Sequence, residues 1–306
     1  MLTNTRQNTV LLNDDAEPEL VTHDSTAFPD QKRVTSSNGS DLPNVNINSY
    51  VTKESSRNSL IETIVYCQNF NRMRSAYKIN EIQNKISGCV YDIILGTETS
   101  WSENIKSEEV FGSKYNVFRC DRDLSLTAKK SGGGVLVAVN ASMQAEQISS
   151  ATHEEFEDVW VKILINGEIH LFVSVYFPPH FAKKPSYETF FEIAESMFSS
   201  LPLQTKIHIY GDFNQKTVDF IMCDDNDLLL PIVGENETLQ FIFDRTSQLG
   251  LHQVNHIRNQ LNCYLDFMFT NCTEDFNIDE AADPLWKNEI FHTAIEYSLF
   301  TDSKRL

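Results

Sequence analysis

The stretch that most constrains this chain is Ile207-His208-Ile209-Tyr210-Gly211-Asp212-Phe213-Asn214. It reads as a short buried strand, opened after Pro202 and Lys206, that runs into a polar turn. Gly211 permits the sharp backbone change at the strand end. Asp212 and Asn214 lie two apart, so an extended backbone sends both side chains to one side. The carboxylate can take a proton, and the amide can both donate and accept hydrogen bonds. That pairing suits a site that activates a water and holds a phosphate oxygen. An Asx-rich turn after a buried strand has the same letters, so the rest of the chain must decide.

Residues 1–58 are rich in Asn, Ser, Thr and Asp with scattered apolar positions, which is the composition of a polar, disordered tail. The folded domain is therefore expected over residues 59–306. Within it, Ile61–Gln68, Asp92–Leu95, Tyr115–Cys120 and Val135–Val139 read as strands. Ile79, Ile82 and Ile86 fall at helical spacing, with Gly88 as the stop. Asp158–Ile165 and Ile169–Tyr176 form a hairpin around Asn166-Gly167. Helices follow at about Ser186–Ser200, with Phe190, Phe191, Ala194 and Phe198 as its core stripe, and at about Glu237–Leu249. Short strands at Leu251–Val254, Leu265–Thr270 and Ala294–Phe300 complete the pattern. Strands in hairpins interleaved with a few helices imply an α/β fold of two packed sheets with helices outside.

The formal charge of −18 argues against binding nucleic acid through the total field. It does not exclude a nuclease, whose carboxylate-lined metal site adds negative charge. Six cysteines without a Cys-x-x-Cys pair read as reduced thiols, Cys67, Cys120 and Cys263 in or beside strands. The N-terminus has no apolar signal core and no stretch approaches a membrane span. An intracellular, nuclear or cytoplasmic protein that is not secreted and does not engage a membrane is the expectation. No Gly-x-Ser-x-Gly or His-Glu-x-x-His occurs, and no Gly-Lys-Ser/Thr follows the Gly132-Gly133-Gly134 triplet.

Polar residues fall where the strands end. Asn69, Glu98, Tyr176, Asp212, Asn214 and His292 sit at or beside strand termini, and Asp266 lies in a strand. In layered α/β folds such ends converge on one rim. Each has a plain structural reading alone: Asn69 as a cap, Tyr176 as a packed aromatic, His292 as a structural histidine.

The ordered set Gln68-Asn69-Phe70-Asn71-Arg72, Thr97-Glu98-Thr99, Val175-Tyr176-Phe177-Pro178, Gly211-Asp212-Phe213-Asn214, Leu265-Asp266-Phe267 and Phe291-His292 resembles the endonuclease/exonuclease/phosphatase superfamily. This is the DNase I-like fold, a four-layer α/β sandwich of two mixed sheets flanked by helices. The stretch Tyr115–Asp123, the Gly-Gly-Gly-Val-Leu strand, Leu251–Val254 and Phe269-Thr270-Asn271 look like the nuclease domain of jockey-type non-LTR retrotransposons. With no polymerase segment before Leu306, a free-standing or truncated nuclease domain is expected.

The resemblance implies a Mg²⁺-dependent endonuclease acting on DNA, with Mn²⁺ as the substitute ion. Glu98 and Asn69 would serve the metal, and Asp212 would take the proton of the attacking water. Asn214, Tyr176 and Asn69 would hold the water and phosphate, and Asp266 would orient His292. Arg72, Arg74, Arg119, Arg122, Lys129 and Lys130 would track the phosphate backbone. The family usually carries Ser-Asp-His where this chain has Ile290-Phe291-His292, and Phe cannot ligate a metal. Glu289 would face the other way on an extended chain. Asn71 stands where relatives often have Asp. Two alternatives follow: a phosphatase of the same fold acting on a small phosphoester or inositol lipid, and a non-catalytic remnant that binds DNA or protein.

Overall fold

The computed structural model describes residues 60–123, 125, 132–222, 229–273 and 276–302. The expected tail, Lys129, Lys130 and Cys223 lie outside the described residues. The chain begins β1 (Leu60–Asn69), α1 (Ala76–Gly88), β2 (Ile93–Thr97), α2 (Ser107–Phe111), β3 (Tyr115–Cys120) and β4 (Val135–Asn140). It continues β5 (Gln144–Thr152), β6 (Glu157–Ile165), β7 (Glu168–Tyr176), α3 (Lys184–Ser199) and β8 (Lys206–Asp212). Then come β9 (Asp219–Met222), β10 (Leu229–Ile232), α4 (Glu237–Gln248), β11 (His252–Gln253), β12 (Asp266–Thr270), β13 (Phe276–Glu280) and β14 (Ile295–Asp302).

Two six-stranded sheets form, ordered β13-β14-β1-β2-β4-β3 and β11-β12-β8-β7-β6-β5, beside a small β9–β10 hairpin. The first pairs β1 and β2 in parallel, the second β7 and β8, and their remaining neighbours are antiparallel, so both sheets are mixed. The alternation within β4 shows how the layers arise. Val135, Val137 and Val139 point between the sheets, against Val159, Val161 and Ile163 of β6. Leu136 and Ala138 point the other way, toward Ile82 and Ile86 of α1 and Phe111 of α2. On the outer face of the second sheet, Phe190, Phe191 and Ala194 of α3 and Leu239 and Ile242 of α4 pack on Trp160, Val173 and Ile209. The order of layers is helix, sheet, sheet, helix, as expected.

Caps define the helices. The Ser75 hydroxyl accepts from Lys78 N at the start of α1, and the Asn236 carbonyl accepts from Thr238 N and Leu239 N at α4. Helix α1 ends at Gly88, but into the extended residue Cys89 rather than through a left-handed glycine. Strands β5, β9, β10 and β13 and helix α2 were not foreseen. Strand β5, Gln-Ala-Glu-Gln-Ile-Ser-Ser-Ala-Thr, is a polar edge strand with a bulge between Gln147 and Ser149. It takes its conformation from the β6 ladder rather than from an apolar alternation. Cys67 and Cys120 are buried and Cys89, Cys263 and Cys272 are half-buried. No helix among the described residues is long and apolar enough to cross a membrane.

Candidate active site

Strand register assembles the site. The two-residue turn at Asn166-Gly167 places Glu157 opposite Tyr176, the parallel β7–β8 pair sets Tyr176 beside Asp212, and β12 sets Asp266 beside Asp212. A row of four functional groups thus crosses one end of the second sheet. In the first sheet, Asn69 pairs with Thr97, and Glu98 follows immediately. Three backbone bonds, Phe70 N to Thr97 O, Arg72 N to Glu98 O and Met73 N to Thr99 O, tie together the loops leaving β1 and β2.

Asn69 is the hub. Its Oδ1 accepts from Asn71 N at 2.9 Å, which fixes the amide orientation. Its Nδ2 then donates to Asp212 Oδ2 at 3.0 Å and to Glu98 Oε1 at 3.3 Å. His292 Nδ1 meets Asp266 Oδ2 at 2.8 Å, and its Nε2 lies 3.8 Å from Asp212 Oδ2. The 3.3 Å approach of Asn69 Nδ2 to His292 Nε2 sets donor beside donor when the ring is charged, so it is packing rather than a bond.

Burial opposes the charge on His292, but Asp266 and Asp212 outweigh it and lift its pKa to about 10. The ring is an imidazolium, with Nδ1–H on Asp266 and Nε2–H toward Asp212. Burial pushes the Asp212 carboxyl well above the usual range, His292 offsetting it in part. Burial, then Glu98 and Asp212, keep the Tyr176 hydroxyl protonated far beyond neutrality. Ligand atoms of Glu98, Asp212 and His292 all lie within 4.8 Å of one another. Two carboxylates that close fit a hard divalent cation; the charged imidazole fits the role of donor beside it.

The expected extension through Asn214 does not occur. Strand β8 stops at Asp212, and Asn214 is left-handed with φ 51°. Asp212 Oδ1 accepts from Asn214 N at 3.0 Å, closing an Asx turn, and Asn214 Nδ2 donates to Phe177 O at 2.8 Å. Asn214 is therefore held beside Asp212 by a turn, not by strand alternation. Arg119 and Arg122 are bonded within the protein. Arg119 holds Ile105 O, Ser102 O and Asp121 Oδ2, and stacks on Trp101. Arg122 is buried against Glu157, with Nη2 to Oε2 at 2.9 Å, and lies over the Tyr176 ring. Arg72 and Arg74 are exposed, without an ion pair or side-chain hydrogen bond among the described residues. Phe291 is 45% exposed and its carbonyl accepts from Asn259 Nδ2. The chain there is a turn rather than a strand: Glu289 and His292 exchange backbone bonds, and Glu289 Oε1 accepts from Trp286 Nε1.

Glu157 was missed by sequence reasoning. Its signal was present in the Asn166-Gly167 hairpin, whose register sets it opposite Tyr176. Buried with Arg122, it fixes the cation that lies over that tyrosine.

No protein-family profile matches the sequence, and no curated protein does. Solved structures do. The endonuclease domain of TRAS1, a telomere-specific non-LTR retrotransposon, superposes with TM-score 0.54 at 17% identity, over 78% of this chain and 98% of that one. The chain has the endonuclease/exonuclease/phosphatase fold. The human Nocturnin catalytic domain with bound sulfate gives TM-score 0.51 at 10% identity, over 80% of this chain and 95% of that one. An endonuclease/exonuclease/phosphatase family protein from Bacteroides thetaiotaomicron gives 0.50 at 11% identity, over 79% and 99%.

Proposed function

We propose that the chain is a divalent-metal-dependent endonuclease that hydrolyses DNA phosphodiester bonds, the target-nicking domain of a retrotransposon-like element. The observation that carries this reading is the meeting of Asn69, Glu98, Asp212, Asp266 and His292 at one rim. The likeness to the TRAS1 endonuclease domain supports DNA as the substrate.

Glu98 would hold the ion, Mg²⁺ by its hard oxygens, with Asn69 bonded to both carboxylates and Asp212 left beside it as the base. When bound, the ion supplies positive charge where phosphate oxygens gain negative charge. Asp212, its pKa raised by burial, accepts the proton of the attacking water at a carboxylate oxygen. The His292 Nε2–H donates to a non-bridging oxygen, and Asp266 stabilises that imidazolium. The Tyr176 hydroxyl, protonated at all working pH values, is a second donor. Phe291 points to solvent and offers the ion no oxygen.

Nicking of supercoiled plasmid tests this. The chain should nick with Mg²⁺, stop in EDTA, and lose about 10²–10⁴-fold in rate as Asp212→Ala. A folded wild type that cleaves no plasmid with any divalent metal would refute the reading. Cleavage of small phosphomonoesters in place of plasmid would transfer it to a phosphatase.

A further inference from the structure

At the other end of β7 and β8, about 20 Å along the strands from Tyr176, lies a second buried polar system. The His170 and His208 rings are nearly coplanar, at 5° between planes, with His170 Nδ1 3.1 Å from His208 Nε2. His208 Nδ1 lies 3.3 Å from Thr270 Oγ1, which itself accepts from Cys272 N at 3.0 Å. His170 and His208 are 1% and 0% exposed, yet His170 Nε2 has no hydrogen-bond partner.

One proton order gives the Thr270 hydroxyl both an acceptor and a donor. Its oxygen already accepts from Cys272 N, so its hydroxyl proton needs an acceptor, and His208 Nδ1 is the one at hand. In that order His208 carries its proton on Nε2 and donates to His170 Nδ1. His170 in turn carries its proton on Nε2. Burial and then the nearby Lys206 hold the His170 pKa at about 4, so the ring is neutral and has this one proton to give. Burial, then His170 and Lys206, depress His208 likewise.

His170 lines a cavity of about 310 Å³ with Lys206, Asn271, Thr273, Thr301 and Glu168. His170 meets the cavity wall, while His208 stands behind it and does not line it. A buried N–H without an acceptor costs free energy. Here it sits beside an ammonium group, on the register partner of its own strand position.

We propose that this cavity binds the oxyanion of a phosphate group, taken by His170 Nε2–H and the Lys206 ammonium. Neither donor belongs to the active site, so the proposal stands apart from the nuclease reading.

The test is long-range ¹H–¹⁵N NMR of the imidazoles in the full chain, titrated with inorganic phosphate and, in a parallel arm, acetate. His170→Asn assigns the signals. We expect both rings protonated on Nε2 and a saturable phosphate shift at His170. Lys206→Gln should weaken binding about tenfold or more, for one lost charge-assisted bond, while Lys206→Arg retains it. A His170 ring protonated on Nδ1, or no saturable shift, overturns the site. A shift confined to His292 likewise overturns it, since phosphate is then binding only at the nuclease rim. Acetate binding as tightly as phosphate overturns the phosphate assignment.

Discussion

Asp266→Asn removes the largest source of the charge on His292 while keeping the side chain's shape. The bond lost is the 2.8 Å contact from Nδ1. With the folded pKa near 10 against 6.5 when unfolded, the raised value favours the folded state wherever the folded ring holds more protons. That contribution is complete below pH 6.5 and is lost as pH rises through 10. At pH 7 it amounts to at most about 4 kcal/mol, of which one hydrogen bond to a charged group accounts for about 1.5–3 kcal/mol. Asp212 still faces the ring in the variant, so part of the elevation survives. Urea unfolding in EDTA, so that no metal contributes, should show Asp266→Asn about 2 kcal/mol less stable at pH 7. The gap should close toward pH 10, where the wild type also loses the proton. NMR should show His292 titrating lower in the variant, and plasmid nicking should fall about 10²-fold as the donor loses charge and aim. A wild-type His292 that titrates near 6.5, or a stability gap independent of pH between 6 and 10, would refute the reasoning.

Gly211→Ala should be more harmful than its size suggests, because a Cβ there meets Val175 Cγ1 at 2.5 Å and falls closer still to the Val175 carbonyl. We expect a loss of about 1–3 kcal/mol by thermal unfolding, and lower nicking as Asp212 is pushed out of register. Acid should destabilise the wild type through His170: its unfolded form binds a proton below pH 6.5 and its folded form only near 4, so stability rises with pH between them. The loss at pH 5 relative to pH 8 is about 2 kcal/mol from this ring, read as the difference in urea stability between wild type and His170→Asn. Glu98→Gly should abolish nicking yet raise stability by about 1 kcal/mol, since it relieves a left-handed φ of 52° and removes a carboxylate from beside Asp212. A destabilised Glu98→Gly would show that the glutamate is held by favourable contacts rather than against strain.

The rim was legible because strand ends announce themselves: apolar runs stop at Asn69, Thr97, Tyr176 and Asp212, and polar groups follow. Even Glu157 could have been read from one turn dipeptide. The fates of Arg119 and Arg122 could not. An arginine before a glycine triplet has the same letters whether it faces solvent or folds inward, and the deciding feature is spatial. Gly133 lacks the Cβ that would collide with the Arg122 guanidinium, and Glu157 comes from a strand in the other sheet. The failure at Asn214 was of another kind. The side chain of Asp212 bonded its own backbone two residues on, and that local bond overrode strand alternation. Strand β5 was invisible because its ladder, not its side chains, makes it a strand.

Backbone and charge at the rim point the same way. Of the seven non-glycine residues with left-handed φ among the described residues, five, Asn71, Arg72, Glu98, Ser100 and Asn214, lie in the loops leaving β1, β2 and β8. Such conformations cost about 1–3 kcal/mol each. The same loops and β12 bring Glu98, Asp212 and Asp266 around a single imidazolium, so one positive charge faces three carboxyl groups. The left-handed turns cost stability, and the imidazolium offsets only part of the repulsion among the three carboxyl groups around it. A packed core below, three hydrophobic layers deep, holds both in place. A deficit of positive charge ringed by fixed oxygens is what a divalent cation relieves on arrival, and the strained loops keep the oxygens from relaxing apart before it comes. On the proposed reading, the strain held at the rim and its fitness for phosphoester chemistry are therefore one property.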